Sequence, residues 1–302
     1  MKKYSFSVCC ILVAAALWGS VSVFLAELTS LGFSRYQVIM LRGLCSTLLF
    51  GLFLLIRDKG LPVFQMRHIW LFIGTGILNQ LLFCICYYTA IPIIGVSVAS
   101  VLMYTSPIFA LLLSAALFGE RIGGRGCIAL VLALAGCVLV SGIGGAAQLP
   151  VVGLLLGLGS GVTYSLYGIF SKLALQRGYS SSAITLYTPL FCMLGALPLS
   201  FLHPFPTLEG SDVTWGIGAL VGMSLLCSIL PTLLYATGLK MVAPGRAAML
   251  TSAEPAVATL LGVFWFHERL TLLAVGGIVL IIMAVILLAG EKQKEELSCE
   301  TE

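Results

Sequence analysis

Glu254 interrupts an otherwise apolar stretch, LTSAEPAVATLLGVFWFHER, that runs from Leu250 to Arg269. It is the one acidic residue placed near the middle of such a stretch. A charge at the centre of a membrane-spanning helix costs roughly 2.5–3.5 kcal/mol on insertion scales. The carboxyl group must therefore face a bundle interior or a wet cavity, or carry a proton. A protonatable carboxylate there can couple movement of a solute to a proton gradient, or pair with an amine. The alternative is structural, since the ring of Pro255 frees the carbonyl of Thr251, which then needs partners. Arg42, eight residues into another apolar stretch, carries the opposite charge. It can meet an anionic group, pair with Glu254 or Glu27, or reach toward the outer surface.

Around these two charges the chain offers aromatic and amide side chains that suit a solute path: Trp18, Asn79, Gln80, Tyr87, Tyr104, Tyr164, Tyr167, Tyr187 and Tyr235. Asn79 and Gln80 cannot be left unpaired in lipid, so they face protein or water. For each aromatic residue, packing is an equal alternative. Tyr4, Tyr36 and Tyr179, at the ends of apolar stretches, suit interfacial anchoring. Pro107 and Pro255 each weaken a helix in mid-course, so they are hinge candidates, with a static kink as the alternative. Other chemistries lack their signatures. There is no G-x-x-x-x-G-K-[ST], G-x-S-x-G or H-E-x-x-H motif. His68, His203 and His267 lie far apart. Nine of the ten cysteines sit in apolar runs, and Cys84-Ile-Cys86 has the wrong spacing for a redox or zinc motif. The expectation is no metal, no cofactor, no disulfide framework and no catalytic residue. No basic cluster suggests nucleic acid.

The elements that must hold these residues are membrane helices. The chain is 60% hydrophobic and only 9% charged, against about 25% charged in soluble domains. Apolar runs predict ten spans, at 6–26, 34–56, 68–88, 92–117, 124–142, 150–172, 181–202, 213–238, 245–266 and 270–290. The first begins like a signal peptide, with Lys2 and Lys3, but stays apolar to about Ala26 and is read as an uncleaved helix. The tail after Gly290 is charged and is expected to lack structure.

Residues 102–121, LMYTSPIFALLLSAALFGER, nearly copy residues 250–269. Pro107 and Pro255 stand 148 residues apart, and each precedes a Glu-Arg pair by 13 residues. Tyr87 falls on Tyr235 at the same offset. The chain thus divides into repeats at 1–144 and 145–290, followed by a tail at 291–302. With the N-terminus in the cytoplasm, 13 of the 16 lysines and arginines fall on the cytoplasmic side and two, Arg35 and Arg269, on the outer side. This asymmetry predicts that both termini are cytoplasmic. Five spans per repeat then require the second repeat to be inverted. Gly153, Gly157 and Gly161, with Gly218 and Gly222, read as close helix packing inside the bundle, with a dimer face as the lesser alternative.

Trp18-Gly19-Ser20, Arg42, Ser106-Pro107 through Gly119-Glu120-Arg121, and Glu254-Pro255 through His267-Glu268-Arg269 together resemble the EamA-type members of the drug/metabolite transporter superfamily. The resemblance covers nearly the whole chain. His267 departs from the glycine that usually precedes the glutamate. The resemblance implies an all-α membrane protein of ten helices in two inverted five-helix repeats, with helices 1–4 and 6–9 around a central cavity. It also implies movement of small metabolites, including amino acids and related compounds, often outward. The expected protein is an inner-membrane exporter working by alternating access, a monomer or homodimer, with protons as the candidate coupling ion. An uncoupled facilitator is the nearest alternative. A membrane enzyme or lipid-handling scaffold would need polar residues clustered at one interface, and here they are scattered singly.

Overall fold

A computed structural model describes residues 2–120, 123–140, 150–266 and 271–299. Arg121 and the segment His267-Glu268-Arg269 lie outside the described residues. Eight helices are long and apolar enough to cross a membrane: α1 (Lys3–Ser30), α2 (Arg35–Arg57), α3 (Met66–Gly95), α4 (Val98–Phe118), α6 (Val151–Gln176), α7 (Ser181–Ser200), α8 (Ser211–Gly238) and α9 (Pro244–Trp265). Two shorter apolar helices, α5 (Gly124–Leu139) and α10 (Leu272–Leu287), complete the set. Every regular element among the described residues is helical.

Local chemistry sets the ends. Ser34 caps α2 with a reciprocal box: Gln37 N donates to Ser34 Oγ at 3.3 Å and Ser34 N to Gln37 Oε1 at 2.8 Å. Ser180 caps α7 through Ala183 N. Gly119 ends α4 in the left-handed region at φ 66°. Gly95, at φ 80° and ψ 157°, separates α3 from α4. The sequence reading stopped the third helix at 88 and began the fourth at 92. Pro92 attracted that boundary, but the helix carries Pro92 within it and turns at Gly95 instead. The last helix also continues through the charged residues 291–299, ending at Cys299, where no structure was expected. Glu, Lys and Gln are good helix formers and simply extend α10.

Several helices are interrupted rather than straight. α1 is broken at Ser20, between helical pieces Lys2–Gly19 and Val21–Ser30. α4 loses its helical course at Tyr104 and Thr105, just before Pro107. α9 narrows to a 3-10 turn at Thr251–Ala253, just before Pro255. The breaks in α4 and α9 occupy matching positions of the two sequence repeats. A second match was not foreseen. α3 opens into a π-helix over Gly74–Leu81, and α8 does so over Leu225–Ile229. Leu81 and Ile229 are also 148 residues apart.

Packing puts large apolar side chains on the outside as well as in the core. Large apolar side chains such as Leu48, Val131 and Phe264 face outward, as a lipid surround requires. The interior is rich in glycine, serine and threonine. Along α6, Ser160, Thr163 and Ser165 are buried and turn their hydroxyls back onto carbonyls three or four residues earlier. Gly153, Gly157 and Gly161 lie against Ile93, Ile94, Leu102 and Thr105. A Cβ at Gly161 would come within 2.8 Å of the Leu102 carbonyl, so glycine brings α6 against the break in α4. Gly222 packs on Phe24, whereas Gly218 meets nothing. α5 and α10 pair through Gly136, which faces Gly277 and Ile281. The largest buried cluster joins both halves of the chain, with Ile11 from α1, Tyr167 from α6, Leu239 after α8, and Met249 and Leu250 from α9.

Candidate functional site

Glu254 opens the second helical piece of α9, directly after the 3-10 turn. That position sets the carboxylate at the positive end of the helix dipole, while the Glu254 N–H donates to Thr251 O. Its side chain is half-buried. The Tyr164 hydroxyl donates to Glu254 Oε2 at 2.6 Å, a charge-assisted bond between α6 and α9 within the second sequence repeat. Gly19 closes the backbone side: a Cβ there would lie 2.9 Å from the Glu254 carbonyl and 3.1 Å from Val257 Cβ. The Trp18-Gly19-Ser20 segment thus serves as close contact for the α9 break.

Tyr164 is itself held. The Asn79 amide nitrogen donates to Thr163 O at 2.9 Å and Tyr164 O at 3.1 Å. Asn79 stands in the π-helical part of α3, where the wide turn aims it at α6. The matching position in α8 is Cys227, whose Sγ lies 3.4 Å from Ser20 Oγ, and Ser20 donates to Leu17 O. Both π-segments therefore brace an inner helix of the opposite half. Gln80, the next residue, has a buried Oε1 without a partner among the described residues.

From Tyr164 an aromatic run leads away from the carboxylate. Phe83 tilts onto Tyr164 at 5.2 Å between ring centres and stacks on Tyr87 at 5.6 Å. Tyr87 shares a 2.8 Å hydrogen bond with Ser100 and lies 5.9 Å from Tyr88. Arg35 covers Tyr88 at 5.1 Å in a cation–π contact. Arg42 stands two helical turns further along α2 from Arg35, and its carbonyl accepts from the Ser224 hydroxyl of α8 at 3.4 Å. The run therefore has a carboxylate, Glu254, at one end and the Arg35 guanidinium at the other. No ion pair joins Arg42 to Glu254 or Glu27 among the described residues. Glu27 instead accepts from Trp215 Nε1 at 3.3 Å.

The structure thus joins Asn79, Tyr87, Tyr164 and Glu254 through one run of contacts, while Tyr104 packs beside Cys137, Ala256 and Ile281 and Arg42 lies on α2 beyond Arg35. Trp18, Tyr167 and Tyr235 form a separate trio with ring centres 5.3–5.9 Å apart, packed into the main buried cluster. Tyr187 belongs elsewhere. Its hydroxyl donates to Pro62 O, and its ring sits with Phe64 and Phe72 under the 58–65 connection. It is a packing residue of that corner, because its hydroxyl finds a loop carbonyl within reach. Tyr4, expected as an interfacial anchor, is buried in the core. Phe83, Tyr88, Arg35 and Ser100 were not singled out in the sequence. Only the adjacency of Tyr87 and Tyr88 hinted at them.

One further contact joins the halves. Glu120, at the end of α4, accepts from Gly245 N at 3.0 Å and Arg246 N at 3.1 Å, at the start of α9. A Cβ at Gly245 would lie 2.6 Å from Glu120 Oε2, so glycine is required for this clasp.

Comparison with known proteins agrees with this architecture. The profile of the EamA-like transporter family matches residues 5–142 and 151–290. A protein of Archaeoglobus fulgidus named as an uncharacterized transporter is 31% identical over 280 residues, covering 92% of this chain and 94% of that protein. The uncharacterized transporter YwfM of Bacillus subtilis is 30% identical over 218 residues, covering 70% of each. A solved crystal structure, 20% identical, superposes with a TM-score of 0.76 over 93% of this chain and 97% of its own. At that identity the likeness concerns the fold.

Proposed function

Since this chain belongs to the EamA-like transporter family, we propose that it is a secondary carrier exporting small metabolites that bear both an amine and an anionic group. The observation that carries the reading is the polarity of the aromatic route. Glu254, half-buried at a helix break, marks one end, and Arg35 marks the other, with Arg42 two turns further along the same helix. A substrate ammonium would pair with Glu254 while the Tyr164 hydroxyl keeps the carboxylate oriented, and the substrate's anionic group would lie toward Arg42. The rings of Phe83, Tyr87 and Tyr88 would cover the apolar part between them.

In this reading α1–α5 and α6–α10 are ten spans in two inverted five-helix repeats, with both termini cytoplasmic and the cavity along their seam. Glu254 takes a proton when the amine leaves it, so an acidic exterior drives export. The paired breaks before Pro107 and Pro255 let α4 and α9 bend as the cavity changes sides. The lone carboxylate supports proton coupling over an uncoupled facilitator, because a facilitator has no need of a titratable group in mid-span.

The test is efflux of labelled amino acids from proteoliposomes, with and without an inward proton gradient. The gradient should accelerate efflux, and Glu254→Gln should abolish that response while the protein remains monodisperse. Gradient-insensitive efflux in the native protein would favour the facilitator. Unchanged gradient dependence in the variant would remove Glu254 from the mechanism.

A further inference from the structure

Away from the central route, the beginning of α1 crosses the end of α8 at Gly238. A Cβ there would lie 2.5 Å from Ile11 Cγ1 and 2.8 Å from the Ser7 carbonyl, so glycine alone allows this approach. Beside the crossing lies an open crevice of about 330 Å³, lined by Lys3, Phe6, Ser7, Thr237, Lys240 and Met241. Phe6 and Met241 are 62% and 46% exposed. The Thr237 hydroxyl is turned away onto Leu233 O, and Ser7 is buried. The walls are thus apolar, and the charge comes from Lys3 and Lys240, both exposed. Among the described residues no acidic side chain lines the crevice. Lys172 Nζ donates to Leu239 O, next to Lys240, which brings a third ammonium group to this corner.

We propose that this crevice binds one anionic phospholipid, its acyl chain along Phe6 and Met241 and its phosphate between Lys3 and Lys240. The complementarity is twofold. An apolar groove opening sideways from a membrane helix pair is filled by a hydrocarbon chain. Two ammonium groups at its rim, with no carboxylate beside them, select a headgroup with net negative charge. Lys3 belongs to the first sequence repeat and Lys240 to the second, so a bound phosphate ties the two halves together. The site is distinct from the Glu254 route and stands whether or not the transport reading holds.

Native mass spectrometry of delipidated protein offered equal phosphatidylglycerol and phosphatidylcholine is the test. The native protein should retain phosphatidylglycerol over phosphatidylcholine by roughly tenfold. The Lys3→Gln/Lys240→Gln double variant should bring the ratio near one. Both lysines are exposed, so folding is preserved, and size-exclusion profiles check this. Lys59→Gln, on another connection, should leave the ratio unchanged. Glycerol 1-phosphate in large excess should not displace the lipid. Equal retention of the two lipids by the native protein would overturn the proposal. So would undiminished preference in the double variant, an equal loss in Lys59→Gln, or displacement by the headgroup alone.

Discussion

Replacing Asn79 by leucine removes both donors that hold the Tyr164 backbone while keeping the side chain's volume. In membrane proteins an interhelical hydrogen bond averages about 0.6 kcal/mol and reaches about 1.7. The two bonds at 2.9 and 3.1 Å therefore sum to roughly 1–3 kcal/mol, as two such terms. That corresponds to a fall of about 2–12 °C in Tm, at the roughly 2–4 °C per kcal/mol typical of larger domains. The functional loss should be larger than this implies. A displaced Tyr164 cannot keep its 2.6 Å bond to Glu254, and a misplacement of 1 Å can cost about a hundredfold in rate. The measurements are thermal unfolding in detergent and amino-acid efflux at a temperature well below the variant's Tm. Tyr164→Phe, which removes only the hydroxyl, should lower efflux by itself. If Asn79 works through Tyr164, the double variant should be no worse than the poorer single one. Strictly multiplicative losses in the double variant, or native efflux in Asn79→Leu, would refute the positioning role and leave Asn79 as helix glue.

Other substitutions test separate parts of the structure. Gly76→Ala would bring a Cβ to 2.7 Å from Cys192 N, Phe191 Cβ and Thr188 O, and overpacking of this kind should cost about 1–3 kcal/mol, seen as a lower Tm. Glu120→Ala leaves the Gly245 and Arg246 amides without their acceptor, at a cost of about 1–3 kcal/mol, and should raise thiol labelling of a cysteine placed at Ala243. Glu120→Gln, which keeps one acceptor oxygen, should lose less. Arg42→Gln should raise the KM for amino acids by tenfold or more while leaving that for the corresponding decarboxylated amines nearly unchanged.

Much of this architecture is written in one dimension. The apolar runs and the Pro107–Pro255 repeat led to the helices and to the matched breaks in α4 and α9, because proline and a mid-span charge each leave a mark that periodicity cannot hide. Trp18-Gly19-Ser20 was visible as a motif, but its contact with the Glu254 carbonyl was not, since a close approach depends on which helices become neighbours. The π-turns were also illegible. An extra residue per turn can be read only where one helix face differs from the other, and α3 is apolar nearly all round. Tyr187 shows the reverse problem. Its residue type and depth fitted the solute path, yet the Pro62 carbonyl and the phenylalanines around it decide its place. Nothing in composition separates such a tyrosine from Tyr164.

The widened turns that end at Leu81 and Ile229 behave like dislocations in a row of atoms. Each stores one surplus residue inside a helix whose ends are fixed elsewhere. Restoring ordinary winding on one side of such a defect rotates the adjoining segment by about 100° and slides it by about 1.5 Å per residue. The ends of the helix need not come loose. Asn79 and Cys227 sit inside these defects, so a shift of either one trades their partners on the facing helix for new ones. The protein thus contains, on each half, a place where a helix can change which face it shows at little cost in its own backbone hydrogen bonds.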